Sequence, residues 1–149
     1  MNHNFQKTSI ISKVLSANDT GETGGHQAGI LIPKSEIILS FFPKLSSAKK
    51  NPRVSIKFYD NYDKEWQFNF IYYNNKFFGG TRNEYRLTHM TGFIRHYKLK
   101  ENNEIIFKRS ENNKYQIIPN LTASKDIERS KSANSTIIIL GSRWKVVRI

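Results

Sequence analysis

Ser16-Ala17-Asn18-Asp19-Thr20-Gly21-Glu22-Thr23-Gly24-Gly25-His26-Gln27-Ala28-Gly29 is the stretch on which the reading of this chain turns. Four of the eight glycines fall in it, and none of its residues is both bulky and apolar. Short polar side chains compete with backbone hydrogen bonding, and glycine weakens helix and sheet alike. Neither a core strand nor a stable helix is expected here. Apolar runs flank it, Ile10-Ile11 with Val14-Leu15 before and Ile30-Leu31-Ile32 after. The stretch therefore reads as a long polar excursion between two strands. Loops of this length are commonly functional or disordered, and paired donors and acceptors on short side chains suit binding. Asn18, Asp19, Thr20, Glu22, Thr23, His26 and Gln27 can all reach a base edge or a phosphate. Gly21, Gly24 and Gly25 let the backbone pass close to a ligand. Neither the G-x-G-x-x-G nor the G-x-x-x-x-G-K phosphate cradle is present.

The 149 residues suffice for one domain with its own core, supplied largely by ten Phe, seven Tyr and two Trp. The absence of Cys excludes disulfides and thiolate metal sites. No apolar run approaches the length of a membrane span, and the N-terminus lacks a signal-peptide pattern, so a cytoplasmic protein without a membrane partner is expected. A net charge of +12 favours a polyanionic partner, nucleic acid first. The excess is spread along the chain, so folding must assemble any basic face.

Working outward, Thr8 to Leu15 and Gly29 to Ile32 read as strands. Pro33 suits a first helical turn, with Glu36 at its positive end and Ile37, Ile38, Phe41 and Phe42 on one face before Pro43. Val54, Ile56 and Phe58 alternate with polar residues. So do Trp66, Phe68 and Phe70, which makes a hairpin around Asp60-Asn61-Tyr62-Asp63. Phe77-Phe78 reads as a short strand between Asn74-Asn75 and Gly79-Gly80. Met90, Phe93, Ile94 and Tyr97 have helical spacing. Glu104 to Lys108 and Tyr115 to Ile118 form a second hairpin, Ala123 to Ser135 is a polar loop, and Thr136 to Leu140 and Trp144 to Ile149 close the chain. About eight short strands with one or two helices predict a mainly β, mixed barrel with helices at its ends. It has two comparable halves, each with a polar, glycine-containing loop.

The second polar loop is Gly79-Gly80-Thr81-Arg82-Asn83-Glu84-Tyr85-Arg86. On a strand, Arg82, Glu84 and Arg86 share one face, an acid between two bases. Arginine can grip guanine O6 and N7 or a phosphate, and glutamate can accept from cytosine N4. The alternative is a solvated strand end with a local ion pair. Signals for catalysis are sparse. Asp60, Asp63, Lys64 and Glu65 are the one dense group that could hold Mg²⁺ for a nuclease, and they fall where a hairpin turn expects charge. His3, His26, His89 and His96 have no metal-ligand spacing.

The first loop, Ser-Ala-Asn-Asp-Thr-Gly-x-Thr-Gly-Gly-His-Gln at 16–27 followed by Gly29 and Ile32-Pro33, resembles the N-terminal domain of EcoRII-type restriction endonucleases. So does Tyr72-Tyr73-Asn74 with Phe78-Gly79, Thr81-Arg82-Asn83-Glu84, Arg86 and Thr88. The resemblance implies a DNA-binding pseudobarrel, similar to that of plant auxin-response transcription factors. It implies binding of double-stranded 5′-CC(A/T)GG by two arms in the major groove, one from each half of the barrel. The first arm is then residues 13–31, with Lys13, Asp19, His26 and Gln27. The second is 79–88, with Arg82, Glu84 and Arg86. Asn18, Thr23, Lys34, Lys76 and Asn83 complete the expected DNA-contacting set. Where the family can carry a lysine, a basic residue and a tyrosine, this chain has Gly80, Tyr85 and Leu31.

The expectation for residues 1–149 is a single, non-catalytic effector or targeting domain without a cofactor. It would bind one site as a monomer and form the N-terminal part of a longer type II restriction endonuclease. That protein's C-terminal nuclease domain would use Mg²⁺. The alternatives are a small Mg²⁺-dependent nuclease using Asp60, Asp63 and Glu65, or a non-specific basic nucleic-acid-binding barrel.

Overall fold

A computed structural model describes residues 9–22, 29–121, 136–140 and 143–148. Thr23, Gly24, Gly25, His26 and Gln27 lie outside the described residues, as do His3 and the polar loop at 123–135. Nine strands are found among the described residues: β1 (Ser9–Val14), β2 (Ile30–Ile32), β3 (Arg53–Tyr59), β4 (Glu65–Tyr73), β5 (Glu84–Thr88), β6 (Glu104–Arg109), β7 (Tyr115–Asn120), β8 (Thr136–Leu140) and β9 (Trp144–Arg148). They form one sheet in the order β2-β5-β4-β3-β7-β6-β1-β9-β8. Three short helices accompany it, α1 (Ala17–Thr20), α2 (Glu36–Leu39) and α3 (Thr91–His96), with a 3-10 turn at Asn75–Phe78. None of the described helices is long and apolar enough to cross a membrane.

Period-two alternation sets which face each strand buries. In the β3–β4 hairpin Ile56 pairs with Phe68 and Phe58 with Trp66, so their side chains share the inner face. Phe58, Phe68, Phe93, Phe107 and Trp144 are almost wholly removed from water. A stack of rings runs from Phe42 through Phe70 (4.5 Å) and Tyr85 (5.7 Å) to Tyr72 (4.1 Å), joining the α2 turn to β4 and β5.

The sheet has two antiparallel sections, joined where β3 runs parallel to β7 through Phe58↔Tyr115 and Tyr59↔Gln116. They are not the two halves of the sequence. β1 leaves its neighbours in the chain and lies between β6 and β9, with Ile11 opposite Phe107 and Val146. The first polar stretch therefore leaves one section at Val14 and enters the other at Ile30. The second loop connects β4 to β5 within a single section. The first stretch thus bridges the two sections, and the second loop lies within one of them.

Three local expectations also change. The first polar stretch holds a helical turn, because the Ser16 hydroxyl accepts from the Asp19 N–H while the Asp19 carboxylate accepts from the Ser16 N–H. This reciprocal cap satisfies two backbone donors that a short helix would otherwise expose. Helix α2 begins after Ser35 rather than at Pro33 and makes one turn before tightening through Phe42. Phe77-Phe78 is not a strand but the end of the 3-10 turn, with both rings exposed.

Candidate nucleic-acid interface

The second polar loop, residues 79–88, follows the 3-10 turn. Gly79 ends that turn with φ +90°, a conformation that favours glycine. The chain then folds back on the turn. The Arg82 N–H donates to Asn75 Oδ1 (2.6 Å), and the Arg82 carbonyl accepts from the Lys76 N–H (2.9 Å). Arg82 thus has its backbone held on both sides before β5 starts. Asn83 is held by its side chain, which accepts from the Tyr72 hydroxyl at 2.7 Å.

Glu84 stands between two arginines, as the strand period predicts. Its Oε1 accepts from Arg82 Nε at 3.2 Å and its Oε2 from Arg86 Nε at 2.6 Å. Burial alone would raise the Glu84 carboxyl, but the hydrogen bond and charge of Arg86, then those of Arg82, outweigh it and hold it below the usual carboxylate range. The two arginines are not equivalent. Arg86 Nη1 also donates to the Gly29 carbonyl at 3.0 Å, which ties the second polar loop to the end of the first. The Arg82 guanidinium is more exposed and lies 3.8 Å above the centre of the Tyr73 ring. Among the described residues its Nη1–Nη2 edge makes no hydrogen bond. Such an edge is a planar, two-pronged donor suited to paired acceptors.

The root of the first polar stretch is built differently. Lys13 is buried at the end of β1, with Nζ 3.6 Å from Asp19 Oδ2 and 5.7 Å from the centre of the Trp144 ring. Burial lowers the Lys13 pKa, while the Asp19 charge opposes that shift and the Arg143 charge adds to it. Lys13 and Asp19, both expected on DNA, are here paired with each other. Asn18, Lys34 and Lys76 are exposed. Thr23, His26 and Gln27 fall outside the described residues.

The carboxylates at the β3–β4 turn have another task. Asp60 is almost wholly buried. Its Oδ1 accepts from the N–H groups of Tyr62 (2.8 Å) and Lys64 (2.9 Å), and its Oδ2 from Trp66 Nε1 (2.9 Å) and the Tyr97 hydroxyl. Burial would raise its pKa. The bonds from Tyr97, Trp66, Lys64 and Tyr62 bring it down to about 2. With four donors on two oxygens, Asp60 has little capacity left for a cation. Asp63 and Glu65 face solvent. No group of three or more metal-ligating side chains is assembled among the described residues. His89 lies against Asn69 and Thr88, and His96 packs edge-on to Trp66.

Sequence reasoning found the acid between two bases but missed Tyr73, Tyr72 and Asn75, which set Arg82 and Asn83 in place. Their contacts join β4 and the 3-10 turn to the residues just ahead of β5 and leave no mark in local spacing. The cap at Ser16 did leave one, the Ser-x-x-acid spacing to Asp19.

The chain is similar to known proteins. The family described as "Restriction endonuclease EcoRII, N-terminal" matches residues 4–105. The type II restriction enzyme EcoRII of Escherichia coli is 47% identical over 84 residues, which cover 53% of this chain and 20% of that protein. The chain thus matches about a fifth of the length of that curated relative. Among solved structures, an Arabidopsis FUS3–DNA complex superposes with a TM-score of 0.57 at 21% identity, covering 76% of this chain and 96% of that one. The likeness shows that the fold is the pseudobarrel expected from the sequence.

Proposed function

The chain belongs to the family of EcoRII restriction-endonuclease N-terminal domains, and on that basis we propose that it binds duplex DNA sequence-specifically as a non-catalytic effector or targeting domain. The site is 5′-CC(A/T)GG-like, and the parent protein is a longer type II restriction endonuclease. One observation carries the reading: the Arg82–Glu84–Arg86 triad, with the guanidinium edge of Arg82 held ready. Guanine O6 and N7 lie side by side in the major groove and match the two donors of such an edge. The net charge of +12 supplies the sequence-independent attraction to phosphates. Lys34 and Lys76 suit phosphate contacts. Asn18, Thr23, His26 and Gln27 supply arm one, whose root the Lys13–Asp19 pair holds.

Cleavage belongs to a C-terminal nuclease domain of the parent, which uses Mg²⁺; the domain itself takes no cofactor. The inward turn of Asp60 counts against a nuclease built on Asp60, Asp63 and Glu65. On this reading the domain acts in the cytoplasm. Two-fold DNA sites are commonly read by two-fold dimers. Here two unlike arms belong to one chain, so each can read one half of the site and a monomer covers the whole.

Titration of a single-site CC(A/T)GG duplex with Mg²⁺ present, followed by native mass spectrometry, should give a one-to-one complex with uncut DNA. Two chains per duplex with no one-to-one species, or metal-dependent cutting, would overturn the reading. Arg82→Ala should weaken specific binding by roughly tenfold or more, since a bidentate base contact is worth about 1–3 kcal/mol of discrimination. Binding to unrelated duplex should change far less. An equal loss on both duplexes would make Arg82 a phosphate contact.

A further inference from the structure

Tyr72 and Tyr73 are adjacent, yet they do different things. Tyr72 faces inward, stacks on Tyr85 at 4.1 Å and bonds Asn83. Tyr73 ends β4 opposite Glu84 and faces the other side of the sheet. Among the described residues its ring packs against no other aromatic ring; what lies over it, at 3.8 Å, is the guanidinium of Arg82. We propose that Tyr73 is a positioning residue for base discrimination. Its ring fixes the plane of the Arg82 guanidinium, so that the Nη1–Nη2 edge is presented before DNA arrives. The inference rests on the DNA-binding reading above.

Three constraints converge on Arg82. The backbone is held by Asn75 and Lys76, the Nε edge by Glu84, and Cζ sits over the Tyr73 ring. Backbone anchoring and a single Nε bond still leave the plane free to rotate about that bond. A ring beneath the plane removes this freedom, because the cation is attracted to the electron-rich face. A phosphate tolerates a guanidinium in many orientations, whereas a guanine edge requires both donors in its own plane. Loss of Tyr73 should therefore reduce the distinction between right and wrong base pairs more than it reduces general affinity. Pre-positioning also lessens the rotamer freedom lost on binding.

The test compares wild type, Tyr73→Phe and Tyr73→Leu on a CC(A/T)GG duplex and on the same duplex with one G·C pair replaced, over a range of salt. The ratio of the two dissociation constants should fall about three- to thirtyfold in Tyr73→Leu, the range of a cation–π contact. Tyr73→Phe, which keeps the ring, should retain the ratio. Affinity for the substituted duplex and its salt slope should be unchanged in both variants. An unchanged ratio in Tyr73→Leu would overturn the proposal, as would an equal loss on both duplexes. A wild type that does not distinguish the duplexes would instead sink the DNA-binding reading. NMR of the protein without DNA tests the geometry separately. The Arg82 side-chain protons should be shifted upfield by the ring in wild type and Tyr73→Phe, and should lose that shift in Tyr73→Leu. Absence of the shift in wild type would also overturn the proposal.

Discussion

Asp60→Ala should lower the thermal midpoint by about 10–15 °C while leaving specific DNA binding intact at low temperature. The carboxylate joins the β3–β4 turn to Trp66 on the next strand and to Tyr97 just beyond α3. Without it the indole N–H and the Tyr97 hydroxyl lose their acceptor. Each unsatisfied buried donor costs about 1–3 kcal/mol, and the two turn N–H groups add to that. A total of about 3–5 kcal/mol corresponds to the stated shift for a domain of this size. The same group gives a pH signature. Its pKa falls from an ordinary 3.8 to about 2 on folding, so its contribution is complete above pH 4 and is lost as the pH falls through 2. The shift amounts to roughly 2 kcal/mol. Asp60→Asn should flatten the stability curve between pH 4 and 2, measured by denaturant titration. Wild-type and variant curves that fall in parallel over that interval would assign acid sensitivity to other groups.

Gly29→Ala should detach β2 and reduce specific binding by at least tenfold. Gly29 has φ +93°, and a Cβ there would lie 2.1 Å from the Leu87 carbonyl oxygen on β5. Backbone cannot yield as a side-chain tip does. The left-handed penalty of about 1–2 kcal/mol adds to overpacking of about 1–3 kcal/mol. The three-residue edge strand Ile30–Ile32 is the cheapest element to give way. Its release would also remove the Gly29 acceptor from Arg86 and disturb the triad. Hydrogen exchange should therefore speed up at Ile30, Leu31 and Ile32 before it does in β6 or β7. Protection of β2 at wild-type levels would refute the close approach.

Local alternation made most strands legible. Val54, Ile56 and Phe58 opposite Trp66, Phe68 and Phe70 are period-two runs on either side of a charged turn, and the sheet follows them. The same period put Glu84 between Arg82 and Arg86 before any contact was known. Features set by distant partners were not legible. An aspartate in a turn reads as exposed, but Asp60 is buried because Tyr97, 37 residues on, donates to it. Nothing in the local spacing shows that Lys13, expected among the DNA contacts, is enclosed by Asp19 and Trp144. Two adjacent phenylalanines are too short a run to show a period. The turn at Phe77-Phe78 follows from the way Arg82 folds back on Asn75 and Lys76.

The pairing of β1 with β9 bears on how the domain comes into being on the ribosome. Ile10 is among the first described residues to emerge, and its partner Val147 among the last. At about 5–20 residues per second, β1 waits many seconds for one of its two neighbours. Through that interval its edge is open to other chains, and the closure that ends it joins residues as far apart as Ile10 and Val147, a slow step by its contact order. The section β2-β5-β4-β3 has no such dependence, since its strands follow one another before Thr88. Synthesis should therefore deliver a domain whose second polar loop is shaped while the root of the first is still incomplete. The sheet around β1 is then complete only when β9 has cleared the exit tunnel.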